Sequence, residues 1–166
     1  DMDMILNDFD SDGDLDLYIV SGGNEFEPNS PILKDRIYVN DGRGYFSYSE
    51  NSVPNNYSSG MRVSSEDFDK DGDLDLFVGG RIVPGSYPLP ADSFLLVNQS
   101  DKDEIKFVNA DYSDFPFRDI GLVTSSVWVD YNNDGWKDLI VVGEWTPVKF
   151  FKNQDGKFSE DKSMID

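Results

Sequence analysis

The sequence predicts an all-β chain assembled from three copies of one four-stranded antiparallel unit, and three observations predict it. A ten-residue Asp-rich segment occurs three times at a spacing of about 60 residues. Each copy runs directly into a short β-branched apolar stretch, and each is followed by the signature of a β-hairpin. No stretch carries a 3.6-residue apolar period with caps, which removes helices of any length from the expectation.

The repeats align without gaps. They read Asp8-Phe-Asp-Ser-Asp-Gly-Asp-Leu-Asp16-Leu17, Asp67-Phe-Asp-Lys-Asp-Gly-Asp-Leu-Asp75-Leu76 and Asp130-Tyr-Asn-Asn-Asp-Gly-Trp-Lys-Asp138-Leu139. The stretches that follow are Leu17-Tyr-Ile-Val20, Leu76-Phe-Val78 and Leu139-Ile-Val-Val142, with glycine close behind at Gly22, Gly79 and Gly143. The hairpin element is Arg36 to Phe46 in the first repeat and Val148 to Phe158 in the third, each with an Asp-Gly turn. The middle version, from Phe94-Leu-Leu-Val-Asn98 to Phe107, has a longer polar turn. One strand before the Asp cluster, one after it and two in the hairpin give four strands per repeat. The units are expected near residues 2–50, 60–110 and 121–160 of a single domain, with Pro- and Gly-containing loops such as 27–31, 83–90 and 143–147 between strands.

The run Leu139-Ile-Val-Val142 does not alternate, so it predicts a strand covered on both faces. Antiparallel four-stranded sheets stacked face to face meet that requirement, which is the packing of β-propeller blades. Propellers close with about four to eight blades, and this chain supplies three. It therefore reads as part of a larger propeller, or as a unit whose copies associate. Its abrupt start at Asp1 reads as a processed or truncated beginning.

Composition narrows the chemistry. The chain has 166 residues, 33 acidic against 14 basic, for a net charge of −19. That field repels nucleic acid and anionic lipid, and no run reaches the ~20 apolar residues of a membrane helix, so neither nucleic-acid binding nor membrane insertion is expected. There is no Cys and no His, which removes disulfides, thiol and imidazole catalysis and nearly all zinc, copper or haem sites. Any bound metal must be a hard cation held by oxygen.

The Asp clusters have the spacing for such a cation. Carboxylates at alternate positions turn inward if the chain curls, Gly at the sixth position permits the turn, and the ninth-position Asp offers two oxygens. That reaches the six to eight ligands calcium takes at ~2.3–2.6 Å. An EF-hand is excluded: its Glu is replaced by Ile19, Val78 and Val141 inside strand-like runs. A single Asp- and Gly-rich turn would be an ordinary turn. Three at equivalent strand junctions crowd carboxylates that repel without an ion. Three calcium ions, one per repeat, are expected, with the third site weakest because Asn132 and Trp136 replace acids.

The loop followed by an Asp-Leu strand resembles the FG-GAP/VCBS repeat of integrin α-type propellers over the whole chain. The segments around Val20-Ser-Gly-Gly, Val78-Gly-Gly-Arg81 and Val142-Gly-Glu-Trp145 are most similar to bacterial secreted proteins resembling cartilage acidic protein. The resemblance implies calcium in the hairpin between the first two strands of each blade. It places ligands at Asp8, Asp10, Asp12 and Asp16, at Asp67, Asp69, Asp71 and Asp75, and at Asp130, Asn132, Asp134 and Asp138, completed by the carbonyls of Asp14, Asp73 and Trp136. It further implies a secreted or cell-surface recognition or adhesion module for a protein or glycan ligand. The alternative is a structural subunit whose copies join through blade edges.

Catalysis is not expected. A glycosidase needs a pair of free carboxyls, and the clustered acids here are committed to the loops. Gly42-Arg-Gly44 is a turn, since no helix follows it for a phosphate to cap. Tyr45, Tyr87 and Trp145 are the aromatics considered for stacking on sugar or a partner loop, against the commoner reading as core. Asn56-Tyr-Ser58 and Asn98-Gln-Ser100 match the N-glycosylation pattern.

Overall fold

Turn residues divide the described residues into twelve strands. The computed structural model describes residues 1–111 and 117–164. The first sheet contains β1 (Asp3–Asn7), β2 (Asp16–Val20), β3 (Arg36–Asn40) and β4 (Phe46–Ser49). The second contains β5 (Gly60–Glu66), β6 (Asp75–Gly80), β7 (Phe94–Asn98) and β8 (Phe107–Asn109). The third contains β9 (Leu122–Val129), β10 (Asp138–Glu144), β11 (Lys149–Gln154) and β12 (Lys157–Glu160). Every sheet is an antiparallel meander in chain order. Register is equivalent throughout: Leu17 pairs with Leu6 and Tyr38, Leu76 with Ser65 and Leu96, Leu139 with Trp128 and Phe151. The chain is all-β, with three blade-like sheets and no closed ring among the described residues.

The sheets stack in sequence, and two apolar layers hold them. Phe9, Tyr18, Val20 and Ile37 of the first sheet meet Val63, Leu76, Val78, Leu96 and Phe107 of the second. Phe68, Phe77 and Leu95 on the other face of that sheet meet Val123, Leu139, Val141, Phe151 and Phe158 of the third. The aromatic at the second position of each Asp loop is a peg into the next sheet. Phe9 sits edge-on to Phe107 at 5.3 Å, and Phe68 stacks on Trp128 at 6.3 Å. Burying such a ring contributes about 2–3 kcal/mol. The third loop, which meets no further sheet among the described residues, carries Tyr131 instead, whose hydroxyl donates to Asp161 at 3.2 Å. Glycine permits the close stacking: a Cβ at Gly79 would lie 2.5 Å from Val123 Cγ1.

The continuous apolar runs are covered on both faces only in the middle sheet, where all of β6 is buried. In β10, Leu139 and Val141 are buried but Ile140 is half-buried and Val142 exposed. β2 alternates in the same way. The expectation for Leu139–Val142 was incomplete because the outward faces of the two outer sheets have no neighbouring sheet. Met4, Leu6 and Val127 are exposed for the same reason.

A half-buried acid outside the Asp loops ties the β2–β3 connection. Asp35 accepts a 2.7 Å bond from the Tyr18 hydroxyl and another 2.7 Å bond from the Ser21 N–H. Burial pushes its carboxyl up to about 7, outweighing those bonds and the Arg36 charge. The folded chain then retains a proton that the unfolded chain has lost between pH 3.8 and about 7, so stability declines with rising pH across that window and levels off above it. Urea midpoints taken in saturating calcium from pH 4.5 to 8 are expected to fall in the parent and to flatten in Asp35→Asn. A parent-like slope in the variant would remove Asp35 from the account.

Candidate metal centres

The three Asp loops join the first two strands of their sheets: β1 to β2, β5 to β6 and β9 to β10. Their backbones are copies of one another. The fourth position is left-handed in each, with φ of 60° at Ser11, 63° at Lys70 and 58° at Asn133. The sixth is Gly13, Gly72 or Gly135, at φ 101°, 103° and 90°, a region open to Gly and strained for other residues. Side chains at odd positions fix this curl by accepting loop N–H bonds. Asp8 accepts from Asp12 at 3.2 Å and Gly13 at 3.1 Å, and Asp130 accepts from Asp134 at 3.1 Å and Gly135 at 2.9 Å. Asp10, Asp69 and Asn132 each accept from the residue two further on, at 3.2, 3.2 and 2.8 Å. Asp12, Asp71 and Asp134 each accept at 3.0 Å from Asp14, Asp73 and Trp136.

The curl turns the carboxylates toward one point. Oxygens of Asp8, Asp10 and Asp16 lie within 4.8 Å of one another, and so do oxygens of Asp67, Asp69 and Asp71. The ninth-position acids Asp16, Asp75 and Asp138 are buried at 1%, 0% and 0% exposure. One oxygen of each accepts a backbone N–H from the third strand, at 3.0 Å from Asn40, 2.8 Å from Asn98 and 2.8 Å from Asn153. Asp14 Oδ1 and Asp67 Oδ1 have no hydrogen-bond partner, although both atoms are buried. Oxygen is the only donor type among these acids, and such orphaned atoms inside a carboxylate cluster are what a hard cation would satisfy.

Electrostatics separates the loops. Burial, reinforced by Asp16, Asp12 and Asp8, raises Asp10 to about 6. Burial, with Asp69 and Asp71 adding to it, raises Asp75 to about 8. Burial also raises Asp16, Asp69 and Asp138. In the third loop Asp134 is instead lowered, first by the Trp136 N–H, then by the Asn132 side chain and by Lys152, whose Nζ lies 3.4 Å from Asp134 Oδ2. Lys70 lies 3.9 Å above the ring of Trp136 and brings a further cation to that loop. With Asn132 in place of an acid, the third loop has no trio of carboxylates like the other two, among the described residues. Less of its charge needs an ion.

Sequence reasoning missed three asparagines, which were read only as hairpin residues or, at Asn98, as a glycosylation pattern. Asn40 and Asn98 end the third strands of their sheets, and Asn153 is the last residue but one of β11. The side chain of Asn98 donates to Leu74 O at 3.2 Å and, across the sheet interface, to Phe9 O at 2.9 Å. Asn153 donates to Lys137 O at 3.0 Å and Phe68 O at 2.8 Å. The Asn40 side chain donates to Leu15 O at 3.1 Å and accepts from the Gly44 N–H at 3.2 Å, both within its own sheet. Each Asp loop is thus bonded to its own third strand, and the first two are also bonded to the following sheet. Asn98 is 3% exposed, so its glycosylation pattern is inaccessible in the fold. An asparagine at or next to the end of the first hairpin strand in all three repeats was the available signal.

Among the described residues no helix is long and apolar enough to cross a membrane. No curated protein matches the chain. Residues 8–78, from the first Asp loop through the second and into β6, match the family model described as an FG-GAP-like repeat, a repeat typical of extracellular proteins.

Proposed function

We propose that this chain is a calcium-binding recognition or adhesion module, secreted or displayed at the cell surface and similar to bacterial VCBS proteins, with a structural ion in each Asp loop. The observation that carries the reading is Asp75. It is fully buried, it faces the charges of Asp69 and Asp71, and the backbone N–H groups of Asn98 and Phe68 do not offset its burial. A divalent ion would supply the positive charge that these oxygens lack. Asp8, Asp10, Asp12 and Asp16 would hold it in the first loop, Asp67, Asp69, Asp71 and Asp75 in the second, and Asp130, Asn132, Asp134 and Asp138 in the third. Carbonyls of Asp14, Asp73 and Trp136 would complete the three sets. The loops at the opposite ends of the sheets are left free to meet a protein or glycan, and the net charge of −19 disfavours nucleic acid and anionic lipid.

Asp71→Ala tests the assignment. It is expected to lower the melting temperature in millimolar calcium and to change it little in chelator. Equal losses in both conditions would mean that the second loop holds no ion. A second reading, a structural subunit of a calcium-stabilised assembly, draws support from the exposed outer-face residues Met4, Leu6, Val127 and Val142. It predicts large calcium-dependent particles in light scattering, where a recognition module stays small.

A further inference from the structure

Opposite the Asp loops, the connections between second and third strands gather at one end of the stack. The shortest is the turn after β10, and it presents Trp145 with 80% of its surface exposed. The backbone there is left-handed, at φ 56°, a conformation costly for a bulky side chain. The indole leans toward the second sheet and not toward the uncovered face of the third. Its Nε1–H donates to the Tyr87 hydroxyl at 2.5 Å, so its one donor is engaged and its ring faces remain for contact. Tyr87, itself 54% exposed, sits on an ordered tongue. Val83 N–H bonds Leu89 O at 2.9 Å, Leu89 N–H bonds Ser86 O at 2.8 Å, and Gly85 N–H bonds Asn24 Oδ1 at 2.7 Å.

Beside this aromatic pair lies a recess of about 430 Å³, lined in part by Tyr87, Arg81, Asn24, Glu25 and Ser59. Its size falls within the ~300–1,000 Å³ of small-molecule sites. Arg81 is held at 2.5 Å by Glu144, the residue before Trp145, so the strongest local charges cancel. The surface therefore combines a fixed aromatic face with adjacent hydrogen-bond donors and acceptors, among them the Glu25 carboxylate.

We propose that Trp145 and Tyr87 form the stacking platform of a binding site for a neutral sugar ring of a glycan. This rests on the recognition-module reading and specifies its ligand. A pyranose offers an apolar C–H face to an aromatic ring and a rim of hydroxyls to groups such as Arg81, Glu25, Asn24 and Ser59. An acidic saccharide would meet Glu25, Glu144 and the field of the whole chain. A cationic peptide would be drawn by that field but would leave the neutral donors and acceptors of Asn24 and Ser59 unused. A protein hot spot needs a desolvated apolar pocket, whereas this pair is bordered by charged and polar side chains.

The test titrates the whole chain in millimolar calcium with neutral gluco-, galacto-, manno- and N-acetylglucosamine oligosaccharides. Tryptophan emission and heat are followed together. A saturable blue shift is expected, with affinity reduced at least ~10-fold in Trp145→Ala and several-fold in Tyr87→Phe, while the melting temperature and calcium titration stay as in the parent. No response to any neutral sugar would overturn the proposal. So would parent-like binding by Trp145→Ala, or binding confined to acidic saccharides or basic peptides. Calcium binding in the same samples separates the two readings: sugar failure with calcium retained sinks this site alone, and sugar binding without calcium sinks the metal assignment.

Discussion

Calcium added to the chelated chain is expected to raise its thermal midpoint by about 10–30 °C, the largest effect that any change of solution should have on this protein. At free calcium a hundred times the dissociation constant, each site stabilises the folded state by ~2.7 kcal/mol. Two or three occupied loops then contribute ~5–8 kcal/mol, and each kcal/mol moves the midpoint of a chain this size by ~2–4 °C. The first two loops should supply most of the rise. They hold five acids each, Asp8 to Asp16 and Asp67 to Asp75, whereas the third has three acids and Lys152 beside Asp134. Magnesium at the same concentration should give a smaller rise, since it demands a stricter octahedron and gives up its waters reluctantly. Calorimetric scans with calcium, magnesium and chelator make the comparison. Coincident scans in calcium and chelator would refute it.

Replacement of Asn153 by alanine is expected to cost about 3 kcal/mol, and that loss should persist in chelator. Asn153 is wholly buried, and its amide serves the carbonyls of Lys137 and Phe68, one in its own sheet and one in the sheet before. Removing it leaves two acceptors without donors, and each such orphan costs ~1–3 kcal/mol. Asn98→Ala should behave alike, because its amide serves Leu74 O and Phe9 O. Asn40→Ala should cost at least ~1 kcal/mol less, since among the described residues the Asn40 side chain bonds only the exposed Leu15 and Gly44 of its own sheet and nothing across an interface. Urea midpoints of the three variants measure the inter-sheet bond directly. Equal losses at all three positions would show that the bond across the interface carries nothing.

The strands and loops were legible because each is written locally and three times. Asp-x-Asp-x-Asp-Gly followed by Leu17, Leu76 or Leu139 marks a turn and the strand after it without reference to the rest of the chain. What repeats cannot convey is which surfaces meet. Asn98 and Phe9 are 89 residues apart, and Asn153 and Phe68 are 85 apart, so bonds between them come only from stacking the sheets. The same limit applies to Val142. Its apolar run predicts burial on both faces, but coverage depends on a neighbouring sheet that a strand's own sequence does not encode. Lys152 escaped notice for a related reason: hairpin pairing of β10 with β11, and not proximity in sequence, brings it to Asp134. Trp145 and Tyr87 were singled out as loop aromatics, while their mutual hydrogen bond depends on two loops 58 residues apart.

Counting the ions bound by the parent chain addresses the electrostatic claim at its source. Equilibrium dialysis against graded calcium is expected to find two tightly held ions per chain and a third that fills at higher concentration. A chain that takes up none at millimolar calcium would mean that these buried carboxylates are reconciled by protons and loop amides alone.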